Sequence, residues 1–201
     1  MKLWRKKEFE EVEYRPKTVR EILTEMKDTS ELIVDLAYAA LLFNSHDIAD
    51  EVNLLEVQMD ELKYQLQMTA MLAARDPEDA EKLAAVLQVA NATEHISNAA
   101  GDIVRLLNTP LENRPVLFSI LKEGDEMIAF VWVPKDRSRE SLESIYEKSS
   151  SGLNIIAVKR GKRWIYDPED DFIVRPGDGL VITGPENAIE ELKEYIWGTN
   201  K

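Results

Sequence analysis

The chain has 201 residues, 44% of them apolar, with a formal net charge of −13 and no cysteine. That size and apolar content suffice for a real core, while the acidic balance excludes the basic surface needed for nonspecific nucleic-acid binding or charge-driven docking on anionic lipid. The missing cysteines exclude a disulfide framework, a thiolate metal centre and a cysteine nucleophile.

Residues 1–17 are densely charged: Lys2, Arg5, Lys6 and Lys7 precede Glu8, Glu10, Glu11 and Glu13. They predict a solvated arm, with Trp4 and Phe9 as apolar anchors, and they lack the apolar stretch of a secretory leader. No apolar run approaches the roughly 18 residues of a membrane span. The expected location is the cytoplasm, with the membrane reached only through a channel or transporter partner.

From Thr18 the pattern becomes helical. Thr18 and Glu21 have capping-box spacing, and Val19, Ile22, Met26, Thr29, Ile33, Leu36, Ala40 and Phe43 recur at steps of three and four. Asn44 and Ser45 interrupt this helix and cap a second. There Ile48, Val52, Leu55, Met59, Leu62 and Leu66 alternate four and three without a break, and Met68, Met71 and Leu72 widen the apolar face. Asp76 followed by Pro77 opens a third helix, whose apolar face reads as Leu83, Val86, Ala90, Ile96, Ala100, Ile103 and Leu107. Long helices joined by short connections predict a three-helix antiparallel bundle over residues 18–108. Such a bundle leaves apolar edges that a second copy would cover. A homodimer or higher even oligomer is expected.

Pro110 and Pro115 mark a linker over residues 109–115, after which short strand-like runs replace the helical period. Strands are expected at 116–121 and 127–133, a short helix at 141–148, and a buried strand at 153–159. Residues 162–166 follow Gly161 as a hairpin partner. Pro176-Gly177-Asp178-Gly179 reads as a turn, 180–183 as a strand, and Pro185 opens a final helix ending near Trp197. The second domain, 116–198, is thus a small α+β unit.

Chemistry-bearing residues are few. No G-x-S-x-G, G-x-G-x-x-G or G-x-x-x-x-G-K-[ST] pattern occurs, so the chain is not expected to be an enzyme, and NAD and ATP are not expected as cofactors. Glu56 and Asp60 share one helical face, and Glu94, Asn98 and Asp102 share another. Carboxylates on facing helices can hold a divalent metal, with oxygen ligands suiting Mg²⁺, Ca²⁺ or Mn²⁺ and His46 or His95 favouring a transition metal. The simpler reading of the same residues is as solvated faces. Lys159, Arg160, Lys162 and Arg163 form a basic cluster at the hairpin, suited to an anionic small molecule or to solubility alone.

The segment SLESIYEKSSSGLNIIAVKRGKRWIYDPEDDFIVRPGDGLVITGPENAIEELKEY resembles the TrkA-C (RCK C-terminal) pattern, through Gly152, Ile155, Ile156, Ala157, Val158 and Arg160, then Gly177, Asp178, Leu180, Gly184 and Pro185. The helices carrying EVNLLEVQMDELKYQL and ATEHISNAAGDIVRLL resemble one three-helix repeat of PhoU proteins. Glu56 and Asp60 match that family's metal-binding E-x-x-x-D motif, whereas Asn98 stands where a second motif would have aspartate. The combination is similar to small prokaryotic, especially archaeal, proteins tied to potassium channels. The resemblance implies a non-enzymatic regulatory subunit of potassium transport that senses a small ligand or ion through its TrkA-C domain. Some TrkA-C domains bind a cyclic dinucleotide at a dimer interface, which points here to Asn154, Ile155, Ile156 and Arg160. A PhoU-type phosphate-signalling regulator and a metal-binding scaffold are the competing expectations.

Overall fold

The structure is a computed structural model that describes residues 17–109, 127–149 and 152–198. The arm apart from Lys17, the expected strand at 116–121 and nearly all of the expected linker lie outside the described residues.

The three long helices are α1 (Val19–Leu42), α2 (His46–Ala73) and α3 (Pro77–Arg105). Each begins where side chains satisfy its free N–H groups. Thr18 Oγ1 accepts the Glu21 N–H at 3.2 Å while the Glu21 carboxylate accepts the Thr18 N–H at 2.7 Å, a complete capping box. Ser45 caps α2, and Asp76 caps α3 with Pro77 at the first helical position. Asn44, at φ 48°, makes the left-handed turn between α1 and α2.

The α1 stripe from Ile22 to Ala40 and the α2 stripe from Ile48 to Leu66 are buried where the periodicity places them, while Val19 is half-buried and Phe43 exposed at the ends of the α1 stripe. Two further details differ. Met71 and Leu72 point outward instead of widening the α2 core face. In α3 the inward ladder runs through Ala90, Thr93, Ser97, Ala100 and Val104, leaving Ile96 exposed. Two hydroxyl residues on the buried side disguised that face.

The α+β domain contains β1 (Met127–Trp132), β2 (Glu140–Ser141), α4 (Leu142–Glu147), β3 (Asn154–Arg160), β4 (Arg163–Tyr166), β5 (Ile173–Val174), β6 (Gly179–Gly184) and α5 (Glu186–Trp197). An antiparallel sheet has the order β1-β6-β3-β4, and β2 pairs with β5 beside it. The β3–β6 register shifts between Ile155 and Ala157. This bulge breaks strict alternation. Ile155 and Val158 therefore face α4 and α5, while Ile156 and Ala157 join the core of the helical bundle. A strand covered on both faces needs an uninterrupted apolar run, which Ile155-Ile156-Ala157-Val158 supplies.

Candidate functional site

The face of the sheet turned towards the helices packs on the bundle, and a large cleft opens beside this contact. Ile156, Ala157 and Val181 share a buried cluster with Ile33, Leu36 and Val52 of the bundle. Aromatic rings extend the contact at one end. Phe43, just past α1, lies 6.2 Å from Phe130, which meets Trp132 edge-on at 5.1 Å. Lys159 of β3 donates to Asp47 in the first turn of α2 at 2.6 Å and lies 5.5 Å from the Trp164 ring centre. The Lys159 hydrogen bond holds the Asp47 carboxyl below its ordinary range. Nearby Glu51 is shifted upward by burial, against the pull of Lys159.

At the other end a cleft of about 870 Å³ opens between α1 and the β3–β4 edge. Asn154 is exposed at its rim, and Ile156 and Tyr166 form part of its floor. Its walls carry Glu21, Glu25, Asp28, Glu31 and Asp167 against Arg20 and Lys27. The balance is acidic, which disfavours an anion.

The four expected ligand residues are not brought together on one surface. Asn154 is exposed at the cleft, Ile155 lies in the core beneath α5, and Ile156 is buried under the helical bundle. Arg160 has an internal partner. Its Nε and an Nη donate to the Asp178 carboxylate at 2.9 and 2.7 Å, and an Nη also donates to the Ile173 carbonyl at 2.7 Å. The guanidinium lies 4.8 Å from the Phe172 ring centre. Asp178, 1% exposed, also accepts the Arg175 N–H at 2.8 Å and so ties the turn to β3. The hydrogen bond to Asp178 raises the Arg160 pKa above its ordinary value. Of the basic cluster, Lys159 and Arg160 are therefore committed within the chain, while Lys162 and Arg163 are exposed on the hairpin.

The four carboxylates expected to hold a metal, Glu56, Asp60, Glu94 and Asp102, have the following surroundings. Glu94 pairs with Lys63 at 3.0 Å and accepts the Asn98 amide at 3.0 Å. Burial would raise the Glu94 pKa, but the bonds from Lys63 and Asn98 outweigh it and the net shift is downward. Glu56 packs over Gly101, with Arg105 at 3.9 Å, and burial pushes its carboxyl up. Asp102 pairs with Arg105, and Asp60 is exposed. Among the described residues no three His, Asp or Glu side chains converge to hold an ion.

Sequence reasoning missed a polar knot. Glu140 of β2 accepts from Tyr195 Oη at 2.7 Å, from Ser144 Oγ at 2.8 Å and from Lys148. Arg137 donates to the Tyr195 carbonyl at 2.7 Å and lies 4.2 Å from the Tyr195 ring centre. Burial would raise the Glu140 carboxyl, but the bonds from Lys148, Tyr195 and Ser144 prevail and hold it at about 2. Glu140 and Tyr195 are far apart in the chain, and no local spacing announces their contact.

A TrkA-C domain model matches residues 140–196, and a PhoU domain model matches residues 23–107. Potassium channel protein 1 of Methanocaldococcus jannaschii is 27% identical over 77 residues, which are 38% of this chain and 23% of that protein. The chain thus spans about a quarter of the length of that curated relative. A solved structure of the RCK C domain of the potassium transport protein KtrA, in complex with cyclic diadenosine monophosphate, is 26% identical. It covers 42% of this chain and 99% of that one, with a TM-score of 0.33. Among the described residues no helix is long and apolar enough to cross a membrane.

Proposed function

We propose that this chain, a PhoU domain joined to a TrkA-C domain, is a regulatory, non-catalytic subunit of potassium transport that responds to a small ligand or ion and works as an even oligomer. One observation carries the mechanism: Ile156, Ala157 and Val181 of the sheet lie in the same buried cluster as the helices. A ligand that binds one setting of β3 more tightly than another must then also choose between settings of α1 and α2. The TrkA-C match and the similarity to an archaeal potassium channel protein support potassium transport as the process regulated.

The acidic cleft at Asn154 suits a cationic or neutral ligand better than the anion first expected, and Arg160 is held by Asp178. The deciding experiment has two parts. Potassium uptake is measured in cells that make this chain and in cells from which its gene has been deleted. Equal uptake in both refutes regulation. Calorimetry against K⁺, Mg²⁺, cyclic dinucleotides, NAD and ATP tests sensing, and binding of none of them refutes it.

The PhoU match over residues 23–107 favours one second reading, a phosphate-signalling regulator. It predicts that deleting the chain changes phosphate uptake and leaves potassium uptake unaltered.

A further inference from the structure

The outward face of α2 carries a second apolar seam, opposite the one buried in the bundle. Leu54 is 62% exposed, Val57 58%, Tyr64 55% and Met71 70%, and Met68 falls among them on the same face. With Glu61 in the middle, these positions follow each other at steps of three and four, the spacing of a coiled-coil seam. Continuing the same steps outward reaches Asp50 at one end and Arg75 at the other, the latter two residues past the last helical one.

Read from its two ends, the seam is complementary to itself. We infer that α2 packs antiparallel against α2 of a second copy, about a twofold axis lying between Glu61 and Tyr64. Antiparallel coiled coils set each position of one type against the other type on the partner. In this register Leu54 meets the partner's Met71 and Val57 meets the partner's Met68. Glu61 meets the partner's Tyr64, whose hydroxyl can donate to the carboxylate, so the central acid is not buried unpaired. At both ends Asp50 meets the partner's Arg75. In its own chain Arg75 bonds Asp79 at 2.9 Å, and the guanidinium has donors left to share.

Competing arrangements lack this match. A parallel pair sets Asp50 on Asp50, Glu61 on Glu61 and Arg75 on Arg75. An antiparallel pair slipped by one heptad sets Glu61 on Val57 and Asp50 on Met68 and leaves Arg75 without a counterpart. The matched seam runs roughly 40 Å along the helix.

The chain has no cysteine, so an introduced pair reports only the designed contact. Val57→Cys with Met68→Cys is oxidised in the full-length protein. Within one helix these positions lie roughly 16 Å apart, too far for a disulfide, and each single variant faces its own copy at a similar distance. The double variant should give covalent dimer and neither single variant should. No dimer from the double variant, or equal dimer from a single one, overturns the inference.

Sedimentation supplies the second arm, with circular dichroism verifying that helix content is kept. Asp50→Arg alone and Arg75→Asp alone should each raise the dissociation constant at least tenfold, and combining them should restore it to within about threefold. Single variants that leave association unchanged mean that α2 is covered by something else, whether residues 1–16 of its own chain or another protein, and the inference fails. A double variant as weak as the singles also overturns it.

Discussion

Buried side chains in the helical bundle are aliphatic, or else small hydroxyl residues: Thr29, Ser30, Thr93 and Ser97. The α+β domain instead encloses a carboxylate, Asp178, and holds a second, Glu140, with donors from Ser144, Lys148 and Tyr195. The difference separates two ways of specifying a fold. A stripe of apolar residues is satisfied by any neighbour of about the right shape. A buried carboxylate is satisfied only by its own partner in its own geometry, and losing that partner leaves a charge without solvent. The bundle should therefore yield gradually to substitution, and the α+β domain should fail at particular pairs.

The sharpest break of that contrast is Arg160→Ala. It leaves Asp178 buried without its guanidinium and should cost about 3 kcal/mol or more in urea denaturation. Adding Asp178→Asn should recover part of the loss. A cost below about 1 kcal/mol would show that the pair is ordinary surface charge.

Leu62→Ala probes the bundle side. Leu62 is 3% exposed among Met26, Met59 and Leu66, and its truncation should cost about 2–4 kcal/mol. The same measurement on Leu54→Ala, on the exposed face, should give little loss of monomer stability.

Gly179→Ala is smaller. A Cβ there would come within 2.6 Å of the Phe130 ring, which is wedged between Phe43 and Trp132 and has little room to yield. The expected cost is about 1–3 kcal/mol. Gly101→Ala makes an apparently worse contact, 2.5 Å from Glu56 Oε2, but with the end of a flexible side chain. Alanine favours a helix over glycine by about 1 kcal/mol, so the net change should be close to zero.

Acid titration separates the domains more gently. The folded-state pKa of Glu140 is depressed to about 2 from an ordinary value near 4.5. Its contribution is fully present above the ordinary value and disappears as pH falls through about 2. Glu140→Gln should flatten the acid limb of stability in that window. An unchanged limb would mean that the knot around Tyr195 holds without the charge.

Legibility in the sequence follows the same division. The α1 and α2 stripes and all three caps were readable because helical period and capping chemistry are local. The inner face of α3 is blurred because Thr93 and Ser97 occupy core positions, so the apolar period points to Ile96 although that residue is exposed. β2 and β5 have two residues each, too few to show alternation. Gly177-Asp178 reads as a turn from composition alone, yet the role of Asp178 as the anchor of Arg160 depends on a contact made only after folding. Spacing likewise places Glu56, Asp60, Glu94 and Asp102 on helical faces but does not reveal that Lys63 reaches Glu94 or that Arg105 reaches Glu56 and Asp102.

The hydroxyl residues of the bundle lie between its two apolar clusters. One cluster holds Ile22, Met26, Met59, Leu62, Leu66 and Ala90, and the other is shared with the sheet. Among the described residues Ser97 Oγ, fully buried, meets no hydrogen-bond partner, so this waist adds little cohesion between them. Amide hydrogens should therefore report two separate opening events. Those near Met26 and Leu66 should exchange through local fraying of the far end, while those near Leu36 and Val52 should persist until the sheet itself lets go.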